Sequence, residues 1–316
     1  MHIVVTGDYM FNGGDVSWAA IEDIDEITIT RYEMTLPEMV PGRCSGADII
    51  LNNKTPITAV MLQQLPRLKM ISMLATGYNM IDIVTARQRG VTVCNVPAYG
   101  TASVAQHTFA LILELTNHVS LHAASVTQGN WVNTVHWCYS LTPITELAGK
   151  TLGIVGFGNI GRQVATIAAA FGMKVLYYSP QAKITTAQYA GLQELFAESD
   201  IVSLHCPATG SNTGFVNRSL IACMKSTALL INTSRGQLVN EEDLAFALNN
   251  NIIAGAGLDV LSVEPPTAGN PLLAAKNCII TPHNAWISRE ARQRILDITA
   301  LNIRGFINGK PVNVVN

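Results

Sequence analysis

The stretch TLGIVGFGNIGRQVATIAAAFGMKVLYYSPQAK, residues 151–183, decides the fold. A short apolar strand, Thr151 to Val155, runs into Gly156, Gly158 and Gly161, and a helix rich in Ala and Val follows. In such a turn each glycine has its own task. Gly156 permits the tight turn, Gly158 lets the backbone approach a pyrophosphate, and Gly161 lets helix and strand pack closely. The free N–H groups and the dipole at the helix start then favour an anion. The glycine spacing alone is weak evidence. Its strand–turn–helix setting makes a dinucleotide site the better reading than a ligand-free turn.

An acidic residue should end the next strand, about 20 residues on, to bind the ribose hydroxyls of NAD. None occurs between Arg162 and Glu194, and the strand ends in Tyr178–Ser179–Pro180. Ser179 can hydrogen-bond a hydroxyl and does not repel a 2′-phosphate. Lys183 is close enough in sequence to meet such a phosphate, although a solvated loop lysine is the commoner case. The choice between NAD(H) and NADP(H) therefore stays open.

Strands and helices alternate on both sides of this unit. Upstream, HIVVTG, EITITRY, ADIILNN, LKMISML and VTVCNVP read as strands, with ITAVMLQQL and MIDIVTARQRG as helices. Downstream, the strands are KVLYYS, DIVSLHC, ALLINT, IAGAGLDV and CIITPH. This alternation predicts parallel sheets covered on both faces. One long helical pattern runs from Thr101 to about Ala124. The aromatic stretch after it, GNWVNTVHWCYSLTPITELAGK, has little periodicity and reads as an excursion or an oligomer arm. The amphipathic segment SREARQRILDITALNIRGFINGK is expected to return to the first domain. The expected architecture is α/β, with two Rossmann-like or flavodoxin-like parallel-sheet domains. Residues 1–98 with 286–316 would form a discontinuous substrate domain, and residues 99–285 the dinucleotide-binding domain.

Composition sets bounds. A chain of 316 residues suits two domains. The net charge is −2 and no Lys/Arg run occurs, so nothing points to nucleic acid. The most apolar region is broken by glycines, Arg162 and Lys174, which argues against a membrane span. MHIVVTGDYM reads as a first strand rather than a signal peptide. Cys44, Cys94, Cys138, Cys206, Cys223 and Cys278 form no CxxC pair and no metal-spaced cluster. The expectation is a reduced, cytoplasmic setting and no metal.

Three segments put polar residues just after apolar strands, where open α/β sheets bind ligands. They are LLINTSRGQLV with Arg235, GAGLDVLSVEPP with Asp259 and Glu264, and IITPHNAW with His283. Together they suit redox chemistry on a 2-oxo acid. Arg235 can hold a carboxylate bidentately and polarise the neighbouring carbonyl. His283 can give a proton to the forming alkoxide or take it back. Glu264 can sit behind the histidine, fix its tautomer and favour its protonated form. Singly, each residue has a blander reading as a surface ion-pair partner, a helix cap or a turn. The other histidines, including His107, His118 and His122, read as structural or solvated.

Over nearly its whole length the chain resembles the D-isomer-specific 2-hydroxyacid dehydrogenases. The matching motifs are GFGNIGRQVA, INTSRGQLVNEEDL, GLDVLSVEP and TPHNAW, with MLATGYNMIDIVTARQRGVTVCNVPAYGTASVAQHTFALIL upstream. The resemblance implies Arg235, Glu264 and His283 as catalytic residues. It implies cofactor contacts at Gly156, Gly158, Asn159, Ile160, Gly161, Ser179, Cys206, Pro207, Thr233, Ser234, Arg235, Asp259, His283 and Ala285. Substrate would meet Ala75, Thr76 and Gly77, besides Arg235 and His283. It also implies an active site in the interdomain cleft and a homodimer, with the stretch after Thr101 forming much of the interface. Trp137 reads as an interface packing residue rather than one that reaches a partner's substrate.

Within the family, HWCYSLTPITELAGKTLGIVGFGNIGR, VPAYGTASVAQ and HNAW look most like the glycerate dehydrogenase, or hydroxypyruvate reductase, branch. The expected reaction is therefore hydride transfer between NAD(P)(H) and a small D-2-hydroxy acid, with hydroxypyruvate going to D-glycerate. A D-lactate-type or other 2-oxo acid reductase is the alternative enzyme. Phosphorylated substrates fit poorly, because the LATGYNM loop offers no cation. Formate oxidation fits poorly too, since that branch lacks a glutamate where Glu264 stands. A non-catalytic dinucleotide-sensing scaffold is the alternative of another class; corepressors resembling the family share the His283-x-x-Trp286 pattern. Ser179 departs from the family's usual Asp, and Gln106 stands where many relatives have Glu.

Overall fold

The computed structural model describes residues 1–180 and 187–316. Lys183 lies outside them. Two compact units are present: Met1–Gly100 with Trp286–Asn316, and Thr101–Ala285.

The first unit is a five-stranded sheet, all parallel, in the order β2-β1-β3-β4-β5. Its strands are β1 (His2–Val5), β2 (Thr28–Arg31), β3 (Ile49–Asn52), β4 (Met70–Met73) and β5 (Thr92–Cys94). Every residue of β3 and β4 is buried, as expected for central strands covered on both faces, whereas β2 at the edge is half-exposed. Short helices α1 (Ala19–Glu22), α2 (Val40–Cys44), α3 (Ala59–Gln63) and α4 (Ile83–Gln88) lie between the strands. The last helix of the chain, Arg289–Ile307, belongs to this unit and buries Ile295, Leu296, Ala300 and Ile303 in its core.

The second unit opens with α5 (Thr101–Asn117) and α6 (Val119–Thr127). The sequence pattern predicts one helix through Ala124, but the chain breaks at His118, which takes a left-handed φ of 49°. The Thr116 carbonyl, which a continuing helix would use, instead accepts the N–H of Thr145 at 3.0 Å. Residues 128–150 form no regular element, in keeping with their lack of periodicity.

A seven-stranded parallel sheet follows, in the order β12-β11-β10-β9-β6-β7-β8. Its strands are β6 (Thr151–Val155), β7 (Lys174–Tyr178), β8 (Gln188–Tyr189), β9 (Ile201–Leu204), β10 (Leu229–Asn232), β11 (Gly255–Leu258) and β12 (Cys278–Ile280). Its helices are α7 (Asn159–Ala170), α8 (Leu192–Glu198), α9 (Arg218–Ile221) and α10 (Glu241–Asn249). The strand order reverses between β6 and β9, and such a switch point opens a crevice at the carboxyl ends of the strands. Among the described residues no helix is long and apolar enough to cross a membrane.

Candidate active site

The glycine turn sits at that switch point. Gly156 follows β6 with φ +95°, and a Cβ built there would lie 2.5 Å from the His205 carbonyl after β9. Only glycine satisfies both conditions. Gly161 packs α7 onto the turn, since its Cβ would meet the Gly156 oxygen at 2.2 Å. Gly158 differs: it is the residue before α7, and a Cβ there would meet nothing within 4 Å. The space beside Gly158 is thus open at the end of the twelve-residue helix where the first N–H groups lack intrahelical partners. That cradle fits the pyrophosphate of a dinucleotide.

Around it lie the other expected contacts. Asn159 is exposed and its Oδ1 accepts from Arg162 at 2.8 Å, while Ile160 is half-buried beside it. Ser179 follows β7, half-buried. Cys206 and Pro207 follow β9; burial pushes the Cys206 thiol up to about 11, which makes it a packing group rather than a nucleophile. Burial pushes the neighbouring His205 down to about 3, so its ring is neutral, with Nε2 2.8 Å from the Ser203 hydroxyl.

Buried Asn232, at the end of β10, builds the Arg235 loop. Its Oδ1 accepts from both the N–H and the hydroxyl of Ser234, and its Nδ2 donates to the Arg235 carbonyl. Thr233 joins the Thr108 hydroxyl of α5 at 3.0 Å. Arg235 is exposed, and one guanidinium N–H donates to the Ser234 carbonyl at 2.7 Å. Gly236 lies so close to the Leu261 carbonyl that a Cβ would come within 2.1 Å of its oxygen. The Arg235 loop is thereby packed against the segment that leads to Glu264. Glu241, at the start of α10, fastens that segment through the Ser262 N–H and the Asn270 side chain.

Glu264 and His283 meet directly. Nδ1 of His283 lies 2.6 Å from Oε2 of Glu264, whose Oε1 accepts the Leu261 N–H at 3.2 Å. The carboxylate accepts, so Nδ1 carries a proton and Nε2 is the nitrogen left to exchange one. His283 itself has φ +52°. Its turn is held by Asp259, which is 1% exposed. The Asp259 carboxylate accepts from the Thr281 hydroxyl at 2.6 Å, the Asn284 N–H at 2.9 Å and the Ala285 N–H at 2.9 Å.

In the first unit, Ala75, Thr76 and Gly77 follow β4. The loop is pinned by Val96 N–H to the Ala75 carbonyl and by the Thr76 hydroxyl to the Val96 carbonyl. Among the described residues no cluster of His, Cys, Asp and Glu could hold a metal ion.

The supporting residues Asn232, Glu241 and Thr281 are absent from the sequence reading as site residues. Each is an ordinary polar residue, and only the fold shows what it touches.

Residues 109–285 match the family model described as D-isomer specific 2-hydroxyacid dehydrogenase, NAD binding domain. The chain belongs to the D-isomer-specific 2-hydroxyacid dehydrogenase family. It is 44% identical to a hydroxypyruvate reductase of Blautia hydrogenotrophica across 100% of both chains. It is 40% identical to a glycerate dehydrogenase of Methylorubrum extorquens, covering 90% of this chain and 91% of that one. An NADPH-dependent glyoxylate/hydroxypyruvate reductase from Sinorhizobium meliloti, solved with NADP and malonate, superposes with a TM-score of 0.84 at 27% identity. That likeness covers 99% of this chain and 96% of the other. As a D-2-hydroxyacid dehydrogenase the chain is an oxidoreductase, and its cofactor is a nicotinamide dinucleotide.

Proposed function

We propose that this dehydrogenase reduces hydroxypyruvate to D-glycerate, with His283 as acid–base, Glu264 as its partner and Arg235 as the substrate clamp. The observation that carries the reading is the 2.6 Å bond between His283 Nδ1 and Glu264. It fixes the ring and leaves Nε2 to protonate the carbonyl oxygen at C2. Arg235 pairs with the carboxylate and polarises the adjacent carbonyl. When bound, the reduced dinucleotide supplies the hydride that C2 accepts. With that hydride at C2 and the Nε2 proton on oxygen, the 2-oxo group would become the 2-hydroxyl. In the reverse direction Nε2 takes the hydroxyl proton.

The open cradle at Gly158 and the N–H groups of Asn159, Ile160 and Gly161 are the proposed pyrophosphate site. Ser179, Cys206, Pro207, Thr233, Ser234, Asp259 and Ala285 are proposed to line the rest of the cofactor. From the first unit, Ala75, Thr76 and Gly77 are proposed to meet the substrate carboxylate. The 44% and 40% identical relatives support hydroxypyruvate as the substrate.

A homodimer belongs to the same proposal. Val132 is 87%, Val135 96% and Trp137 87% exposed in the irregular arm after α6. Apolar groups concentrated there favour a protein contact. A cytoplasmic setting is proposed on the six free cysteines.

Initial rates with hydroxypyruvate, glyoxylate and pyruvate, each with NADH and NADPH, test the function. Fastest turnover of hydroxypyruvate is expected. No turnover of any of the three, despite dinucleotide binding, would overturn the reading.

A further inference from the structure

We infer that His107 is a positioning residue for the acid–base histidine, acting through Thr281 and Asp259. The inference rests on the assignment of His283 as acid–base. Helix α5 brings His107 Nε2 to 3.0 Å from the Thr281 hydroxyl oxygen and 3.6 Å from Asp259 Oδ1. The Thr281 hydroxyl has one proton, and it goes to Asp259 at 2.6 Å. Nε2 of His107 must therefore be the donor to Thr281. This fixes the His107 tautomer and sets a one-way relay: His107 N–H to Thr281 oxygen, Thr281 O–H to Asp259. Each bond polarises the next.

The relay ends on the turn that carries the chemistry. Asp259 holds Thr281, Asn284 and Ala285 through its side chain, and its carbonyl accepts the His283 N–H at 2.8 Å. His283 is thus bracketed on both sides by one buried carboxylate. A non-glycine residue at φ +52° persists only where its surroundings enforce it. Glu264 orients the ring; Asp259 places the backbone. A second residue of the same helix reinforces the second task. Ser103 stands one turn before His107, on the same face, and donates to the Ala285 carbonyl at 2.7 Å. The face of α5 grips both ends of the His283 turn, and His107 is the part of that grip that touches Asp259's own network.

His107→Leu removes the donor, and His107→Gln keeps an N–H at nearly the Nε2 position. Steady-state rates, dinucleotide Kd, melting temperature and the solvent isotope effect on kcat are measured for both variants. The Leu variant is expected to lose about 10-fold in kcat, because a small displacement of a reacting group is costly. Its KM for hydroxypyruvate and its dinucleotide Kd should change by no more than about 2-fold on the same reasoning. Its solvent isotope effect should rise, since the proton step becomes limiting. The Gln variant should recover most of kcat.

Thr281→Val is the second route, should the Leu variant fold poorly. It is expected to match His107→Leu, and the double variant to be no worse than either alone. Wild-type kcat in the Leu variant, equal losses in Leu and Gln variants, or a drop in melting temperature without an isotope effect would each overturn the proposal. His283→Ala separates it from the reading beneath. If that variant keeps turnover, the acid–base assignment fails. If it loses turnover while His107→Leu does not, only the positioning role fails.

Discussion

The two sheets are alike at one edge and unlike at the other. At the amino edge of the first unit, Asp48 stands just before β3. Its N–H donates to the His2 carbonyl at 2.9 Å, and its Oδ2 accepts the His2 N–H at 2.9 Å. Lys69, just before β4, lies 3.3 Å from its Oδ1. At the amino edge of the second unit, Asp200 stands just before β9. Its N–H donates to the Thr151 carbonyl at 2.9 Å, its Oδ2 accepts the Thr151 N–H at 2.8 Å, and Lys225 lies 2.8 Å from its Oδ1. The same clasp ties the first strand, its neighbour across the switch point and the approach to the next strand.

The carboxyl edges diverge. After β1 the polar groups satisfy one another: the Thr6 hydroxyl donates to Asn52 at 2.7 Å, and Asn52 donates to the Thr55 carbonyl at 2.9 Å. After β6 the chain instead leaves the space above Gly158 open and places Asp259, Glu264 and His283 on neighbouring strand ends. Bonding at the amino edge closes each sheet, and the proposed acid–base pair stands at the carboxyl edge of the second. Substitutions at the two edges should therefore separate activity from stability.

The largest effect is expected at His283. Replacement by Ala should lower kcat by about 10²-fold or more, because general acid–base assistance is lost. Dinucleotide binding and melting temperature should stay near wild type. Steady-state kinetics beside a binding titration check this, and retained turnover would place the acid–base elsewhere.

The glycine turn sharpens the contrast within one edge. Gly158→Ala adds a Cβ into open space, so the melting temperature should hold while dinucleotide affinity falls, by about 10-fold if one pyrophosphate hydrogen bond to a charged group is lost. Gly156→Ala meets the His205 backbone at 2.5 Å and needs φ +95°, so it should destabilise the unit by about 1–3 kcal/mol. Equal losses of stability in the two variants would mean that Gly158 is there for packing rather than for a ligand.

These residues also show how far sequence alone reaches. The glycine turn, Arg235, Glu264 and His283 are legible because their chemistry is uncommon and each follows an apolar strand. The alternation of strand and helix likewise announces both parallel sheets. What stays hidden is bonding between ordinary residues far apart in the chain. His107 reads as a structural or solvated helix residue until α5 is laid beside Thr281, 174 positions away. Asp48 and Asp200 look like common acids at strand starts, and their shared geometry exists only once the strands pair. The break at His118 is hidden for the same reason, since the returning Thr145 takes the carbonyl a longer helix would need.

A smaller change is expected at Ser179. It is the first residue after β7 and is proposed to meet the ribose, and Ser179→Asp places a carboxylate there. That charge repels a 2′-phosphate and binds free hydroxyls, so the ratio of NADH to NADPH efficiency should rise, by about 10-fold for a difference near 1.4 kcal/mol. A ratio that does not move would take Ser179 away from the ribose.

The smallest effects belong to the amino-edge clasps, and they test the comparison most directly. The His2 N–H is foremost in holding the Asp48 carboxyl below the usual carboxylate range, with Lys69 and Arg67 adding to it. Burial works to raise Asp200, but Lys225 and the Thr151 N–H together outweigh it and leave that carboxyl lowered too. A carboxyl lowered in the folded state stabilises the fold above the unfolded value of about 4. That contribution is lost as the pH falls through the lower folded value. Asp48→Asn and Asp200→Asn each keep an acceptor and remove the charge. Each should cost about 1 kcal/mol at pH 7, or roughly 2–4 °C in melting temperature. The gap from wild type should close in acid, where the native carboxyl also loses its charge. Asp48 should show the larger loss, because its side chain is 7% exposed against 23% for Asp200. Turnover should be unchanged in both, since each clasp lies at the amino edge of its own sheet. A variant that lowered kcat while leaving the melting temperature alone would break the division between edges for the sheet in which it occurred.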